Sequence, residues 1–164
     1  MAMFVHLTVE SRAQNILRNG IGRLRKLQNG ERGIFAMPVT RNFYVSHQWL
    51  RELKRGKSGP MVGIYFRIDD GEQVSIGHYN QAHQQMTAAE ASAEIMSSKT
   101  PEGFEVIIAR RIAASEIHRV RKLPQVVGWR YYPQSHGKKP CGCPFCQRGD
   151  FGSRKLRDEY ERQS

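Results

Sequence analysis

The segment Met-Phe-Val-His-Leu-Thr, residues 3–8, is the stretch from which the fold of this chain is best predicted. Its mainly apolar composition predicts a β-strand, interrupted by the single polar ring of His6. Four apolar residues after it recur at the spacing of one helical face, and they are Val9, Ala13, Ile16 and Leu17. Gly20 stands where such a helix would end. The chain is therefore predicted to open with a strand and a short helix.

Strands outnumber helices in the rest of the chain. Beyond the basic, glycine-rich loop predicted over 20–33, Gly33–Met37 is a short apolar piece that ends at Pro38. Further strands are predicted at 61–68, 72–78, 104–110, 117–123 and 126–132, with the turn Asp-Asp-Gly at 69–71 indicating a hairpin over 61–78. Helices are predicted after Thr40 or Asn42, with Val45, Trp49 and Leu53 on one face, from the capping box Thr87 and Glu90, and around 153–162. This order predicts an α+β fold rather than alternating βαβ units.

Length and charge restrict the classes of function. The chain has 164 residues and a formal net charge of +11, with a pI near 10.0. This size predicts one domain, and the positive field attracts polyanions such as nucleic acid without specifying which one. The apolar runs are too short to cross a bilayer, and residues 1–20 have no secretory signal pattern. We therefore expect a cytoplasmic protein with no membrane partner.

Three cysteines and a histidine form a cluster near the C-terminus, and they are His136, Cys141, Cys143 and Cys146. In a reducing cytosol, four such ligands favour a structural zinc site that clamps a small tail. Two alternatives stay open at this point: a redox pair formed by Cys143 and Cys146, and three free thiols. We predict a main domain over 1–133 and a zinc-binding appendage with a C-terminal helix over 134–164.

His6 and Glu105 are titratable residues within two mainly apolar strands. Glu105 shares a strand face with Ile107 and Ala109, where a carboxylate is costly unless it faces a cleft. A histidine in a strand is more often a structural residue than a functional one, and the structural alternative for Glu105 is an ordinary solvated strand end. Neither identifies a function by itself.

Taken together and in order, the motifs of residues 3–123 resemble the ADP-ribosyltransferase superfamily. His6-Leu7-Thr8 and the helix end Ile16-Leu-Arg-Asn-Gly-Ile21 are similar to its DNA- and RNA-directed toxin branches. Gly33-Ile-Phe-Ala36 resembles a segment of the poly(ADP-ribose) polymerases, and the stretch from Glu105 to Val120 resembles their strand with the catalytic glutamate and the segment after it. The resemblance implies a split antiparallel β-sheet core with NAD bound in a cleft between two small sheets.

The resemblance also implies a role for each matching residue. His6 would bind the adenosine ribose, the Leu7 backbone the nicotinamide amide, and Thr8 would support the site. Tyr44 would stack on nicotinamide, and Glu105 would bind the nicotinamide ribose and stabilise its developing cation. Phe35 stands where the polymerases have tyrosine, which favours transfer of a single ADP-ribose unit; its ring can still stack.

Three functions follow from these observations. The first is NAD-dependent mono-ADP-ribosyl transfer to nucleic acid, or to a protein acceptor, in a toxin-like role that leaves a neutralising partner open. The second is NAD-dependent removal of a 2′-phosphate from RNA, for which arginines would bind the phosphate and Glu105 would not be needed. The third is a non-catalytic module that binds nucleic acid and is stabilised by zinc.

Overall fold

The computed structural model describes residues 1–26, 30, 32–55, 57–79, 81–129 and 162. The strands in this part are β1 (Ala2–Val9), β2 (Arg25–Lys26), β3 (Arg32–Pro38), β4 (Met61–Ile68), β5 (Gln73–His78), β6 (Gln84–Thr87), β7 (Phe104–Ile108) and β8 (Ile117–Lys122). The α-helices are α1 (Ala13–Asn19), α2 (Phe43–His47), α3 (Leu50–Lys54) and α4 (Ala88–Ser97). Short 3₁₀ turns precede α1 at Glu10–Arg12 and β8 at Ala114–Glu116. The predicted α+β class is confirmed.

The strands form one eight-stranded sheet in the order β6-β5-β7-β3-β1-β4-β8, with β2 attached to β3. Every pairing among the described strands is antiparallel. β1 pairs with β4 along its whole length but with β3 only at Phe4↔Pro38 and Val5↔Met37. Beyond those two pairs β3 continues beside β7, so β1 and β3 diverge in the middle of the sheet.

The core is built around β1 and β4, whose apolar residues are buried on both faces of the sheet. Phe4, Ile64 and Phe66 are completely buried, and the rings of Phe4 and Phe66 stack with centroids 6.2 Å apart. Burial of each such side chain contributes about 1.5–3 kcal/mol. The packed core therefore supports the side chains that lie where β1 and β3 diverge.

Local signals at the helix ends behave as predicted. The side chain of Asn42 accepts a hydrogen bond from the Val45 amide and caps α2, and the Thr87–Glu90 capping box opens α4. α1 ends at Gly20, which has φ +77° and lies so close to the Ile112 carbonyl that a Cβ atom would clash. Glycine is therefore required there both for its backbone conformation and for its small size.

Several predicted elements differ from the structure. The hairpin over 61–78 is wrong, because β1 and β8 occupy both edges of β4 and β5 pairs with β6 and β7 instead. The helix predicted from Asn42 to Leu53 is divided into α2 and α3, and the loop over 20–33 contains β2. Residues 126–129 are not the beginning of a strand, because a turn at 125–126 is followed by irregular backbone. The strand β6 was not predicted.

The predicted appendage over 134–164 lies outside the described residues, except for the helical Arg162. Within the described ranges, no helix combines the length and the apolar character needed to span a bilayer.

Candidate active site

A cavity of about 990 Å³ opens where β1 and β3 diverge. Its wall includes residues 5–9 of β1, residues 35–37 of β3 and Glu105 of β7. The helices α1 and α3 and the segments after them close it. This volume is at the upper end of the range of small-molecule sites. The cavity brings His6 and Glu105, which are far apart in the sequence, to one space.

His6 projects from β1 across the gap. Its Nδ1 lies 2.8 Å from the carbonyl oxygen of Phe35, and since a carbonyl only accepts, Nδ1 carries the proton. Burial lowers the pKa of His6, and the nearby Arg25 and Arg12 lower it further, against the opposing effect of the Phe35 hydrogen bond. The ring is therefore neutral at pH 7, and Nε2 presents a lone pair that no described residue engages.

Glu105 is held in place by hydrogen bonds around the start of β7. The buried Gln48 accepts from the Gly103 amide at 2.6 Å and donates to the Pro101 carbonyl at 2.8 Å. Trp49 donates from its indole to the Phe104 carbonyl at 2.6 Å. On the sheet itself Glu105 is paired with Gly77 of β5. The carboxyl group therefore projects from a backbone that is fixed on both sides.

The environment of Glu105 disfavours its charged form. The side chain is only 15% exposed, and burial raises its pKa from 4.5 to about 7. His83 is an ionisable neighbour of Glu105, with Nε2 at 3.6 Å from Oε2. A carboxyl group in a cleft with so altered a pKa is a candidate functional residue.

Cationic side chains dominate the charge of the cavity. The six that line it, called the cationic wall below, are Arg12, Arg23, Arg25, Lys26, Lys57 and Arg111. Reciprocal backbone hydrogen bonds between Ile21 and Ile112 tie the segment after α1, which carries three of these cations, to the segment after β7, which carries Arg111. Against six cations the described lining has two carboxylates, Glu52 and Glu105. The cavity is thus suited to an anionic ligand.

The other predicted site residues divide into two groups. Leu7, Thr8 and Phe35 line the cavity as well. Tyr44 does not belong to the described lining: it lies on the first turn of α2, 37% exposed, where burial and Glu102 raise its pKa. The interpretation of Tyr44 as the ring that stacks on nicotinamide therefore has no support from its position.

Sequence reasoning missed two aromatic rings of the cavity. Trp49 and Tyr79 both line it, with ring centroids 5.8 Å apart. Trp49 was assigned only to the apolar face of a helix, and Tyr79 only follows the end of β5. No local pattern distinguishes either ring from an ordinary core residue, and the cationic wall likewise assembles from four separate segments.

The predicted zinc ligands His136, Cys141, Cys143 and Cys146 lie outside the described residues. The described part of the chain contains no cluster of histidine, cysteine and acidic side chains suited to a metal ion. Zinc binding stays a prediction.

Comparison with protein-family models, with curated proteins and with solved structures finds no match to this chain. The chemistry of the cavity is the remaining guide to function: a neutral imidazole acceptor, a carboxyl group with a raised pKa, three aromatic rings and a wall of cations.

Proposed function

We propose that this chain is an NAD-dependent mono-ADP-ribosyltransferase that transfers ADP-ribose to nucleic acid and releases nicotinamide. One observation carries the proposal: His6 and Glu105 line the same cavity at the divergence of β1 and β3. In the superfamily that the motifs resemble, a histidine and a glutamate on two such strands bind opposite halves of NAD. The divergence of β1 and β3 also fits the split sheet of that superfamily.

The backbone of β1 supports the placement of NAD. The Met3 carbonyl accepts from the Val39 amide, on the edge that faces β3. Since backbone polar groups alternate between the two edges of a strand, those of Leu7 face the same edge, beyond the last β1–β3 pair at Val5. The Leu7 N–H and C=O are therefore available to the nicotinamide amide, and Nε2 of His6 to a ribose hydroxyl that donates to it.

Glu105 would act on the nicotinamide ribose. The bond between the ribose carbon and the nicotinamide nitrogen breaks with its electron pair going to nitrogen, which leaves neutral nicotinamide and a cationic ribose. An ionised Glu105, hydrogen-bonded to a ribose hydroxyl, stabilises that cation. The acceptor then forms the new bond to the ribose carbon and loses its own proton.

The cationic wall fits both substrates. Its guanidinium and ammonium groups can bind the pyrophosphate of NAD, and the net charge of +11 attracts a polyanionic acceptor. A protein acceptor remains a variant of the same proposal. Phe35 has no hydroxyl at the position where the polymerases have tyrosine, which favours transfer of one unit.

One observation favours a second candidate, the NAD-dependent removal of a 2′-phosphate from RNA. Four arginines line the cavity, namely Arg12, Arg23, Arg25 and Arg111. Arginine side chains commonly bind phosphate through two parallel hydrogen bonds. That reaction does not need Glu105, so the two candidates predict opposite results for its removal.

The test combines the purified chain with NAD and, separately, RNA, DNA, 2′-phosphorylated RNA and a mixed protein lysate. Mass spectrometry follows nicotinamide and the acceptor, for the wild type, for Glu105→Gln and for the matched control Glu94→Gln on the exposed side of α4. We expect a single added ADP-ribose unit, lost in Glu105→Gln and retained in Glu94→Gln. Phosphate removal that survives Glu105→Gln would establish the second candidate. Nucleic-acid binding without any nicotinamide release would support the non-catalytic nucleic-acid-binding module instead of either enzyme.

A further inference from the structure

We propose that His83 is a positioning residue that holds the Glu105 carboxylate in its catalytic orientation, a role that rests on the proposed function. Nε2 of His83 lies 3.6 Å from Oε2 of Glu105. That nitrogen is buried, and no described residue hydrogen-bonds to it. Since leaving a buried polar atom without a partner destabilises the fold, a shift of a few tenths of an ångström into hydrogen-bond contact with Oε2 is favoured.

Gly77 provides the space that His83 occupies. It is the β5 residue paired with Glu105, and a Cβ atom there would lie 2.8 Å from the Ala82 carbonyl oxygen and 3.1 Å from Cα and Cγ of His83. The backbone of Gly77 is not in the left-handed region, so glycine is needed here for close packing and not for its conformation. The missing side chain allows the segment before β6 to lie against β5, with the imidazole beside the carboxyl group.

The arrangement divides the two oxygens of Glu105 between two tasks. His83 contacts Glu105 but does not belong to the described lining of the cavity, whereas Glu105 does. A hydrogen bond donated from Nε2 to Oε2 fixes the carboxyl group from behind and leaves Oε1 for the ligand. The same bond favours the carboxylate over the carboxylic acid, which is the form that the cation of the ribose requires.

Other charged groups around Glu105 must stay constant in any test. On β5 the neighbour of Gly77 is His78, whose ring lies tilted against that of Phe104 with centroids 4.0 Å apart. From the remaining elements the cationic wall, Glu52 and His6 line the cavity with Glu105. The variants below change none of them.

Three substitutions separate positioning from simple packing. His83→Gln keeps a donor and His83→Leu keeps only bulk, while Gly77→Ala displaces His83 without changing either ionisable residue. His118→Gln is the matched control, since His118 is exposed on β8 at the opposite end of the sheet order from β5 and β6.

Carbon-13 NMR of the Glu105 carboxyl group tests the contact without reference to catalysis. We expect its titration midpoint to move up by about one pH unit in His83→Leu and in Gly77→Ala, less in His83→Gln, and not at all in His118→Gln. Identical titrations in the wild type and in His83→Leu would overturn the positioning role.

Nicotinamide release then tests the consequence. We expect kcat to fall about tenfold or more in His83→Leu and Gly77→Ala with KM for NAD little changed, and His83→Gln to recover part of the loss. An increase in KM at constant kcat would overturn the assignment, because it would place His83 in substrate binding. A wild type that releases no nicotinamide, but whose Glu105 titration depends on His83, would refute the proposed function and leave the pairing of the two residues standing.

Discussion

The stability of the wild type should fall relative to that of Glu105→Gln as the pH rises. Burial raises the pKa of Glu105 from 4.5 to about 7, so the folded wild type holds a proton there that the unfolded chain has already released. At 1.36 kcal/mol per unit of pKa shift, the difference between the folded and unfolded pKa contributes about 3 kcal/mol to the free energy of unfolding. The contribution is fully present below pH 4.5 and is lost as the pH rises through 7. Glutamine has no proton to lose, so its contribution does not change.

Urea denaturation of both proteins between pH 5 and pH 8 measures this effect. We expect the wild type to lose about 2.5 kcal/mol of unfolding free energy relative to Glu105→Gln over that interval, with most of the loss above pH 5.5. Taking the difference between the two proteins removes the titration of all groups that they share. Parallel stability curves would refute the reasoning, since they would mean that Glu105 ionises alike in the folded and unfolded states.

Four further predictions concern the site and its support. Nicotinamide release by the wild type should rise about tenfold from pH 6 to pH 8, because the ionised fraction of Glu105 rises with a pKa of about 7; a flat profile would contradict the role of the carboxylate. His6→Ala should weaken NAD binding about tenfold in calorimetry, through loss of the Nε2 acceptor, and an unchanged Kd would place His6 outside the NAD site. Gln48→Leu should cost about 2–3 kcal/mol in urea denaturation, because the Gly103 amide and the Pro101 carbonyl lose their buried partner; a loss below 0.5 kcal/mol would argue against that support. Metal analysis should find about one zinc per chain, and Cys143→Ser should lower both zinc content and stability; a ratio near zero in the wild type would exclude the site.

Local signals in the sequence were sufficient for most elements of the fold. The Asn42 cap and the Thr87–Glu90 capping box are contacts within a few residues, so they could be recognised from the chain alone. The apolar strands were recognised by composition, since β4 is buried along almost its whole length. Strand pairing was not recognised in the same way: the turn at 69–71 indicated a hairpin, but partners distant in sequence occupy both edges of β4.

The candidate site shows the same division. His6, Leu7, Thr8, Phe35 and Glu105 could be singled out from short motifs, and all five line the cavity. Tyr44 was selected by its place in the sequence, and the structure puts it outside the described lining. The cationic wall could not be predicted, because its members come from segments that meet only after the sheet has formed.

The amino-acid sequence by itself determined the order of the elements, their caps and the two polar residues of interest, because each depends on neighbours along the chain. Only the tertiary structure decided that β1 and β3 diverge, that Glu105 shares a cavity with His6, and that Gly77 makes room for His83 beside it. The pKa of Glu105 belongs to this second group as well. Desolvation and packing arise from residues that are distant in sequence, so no local pattern contains them.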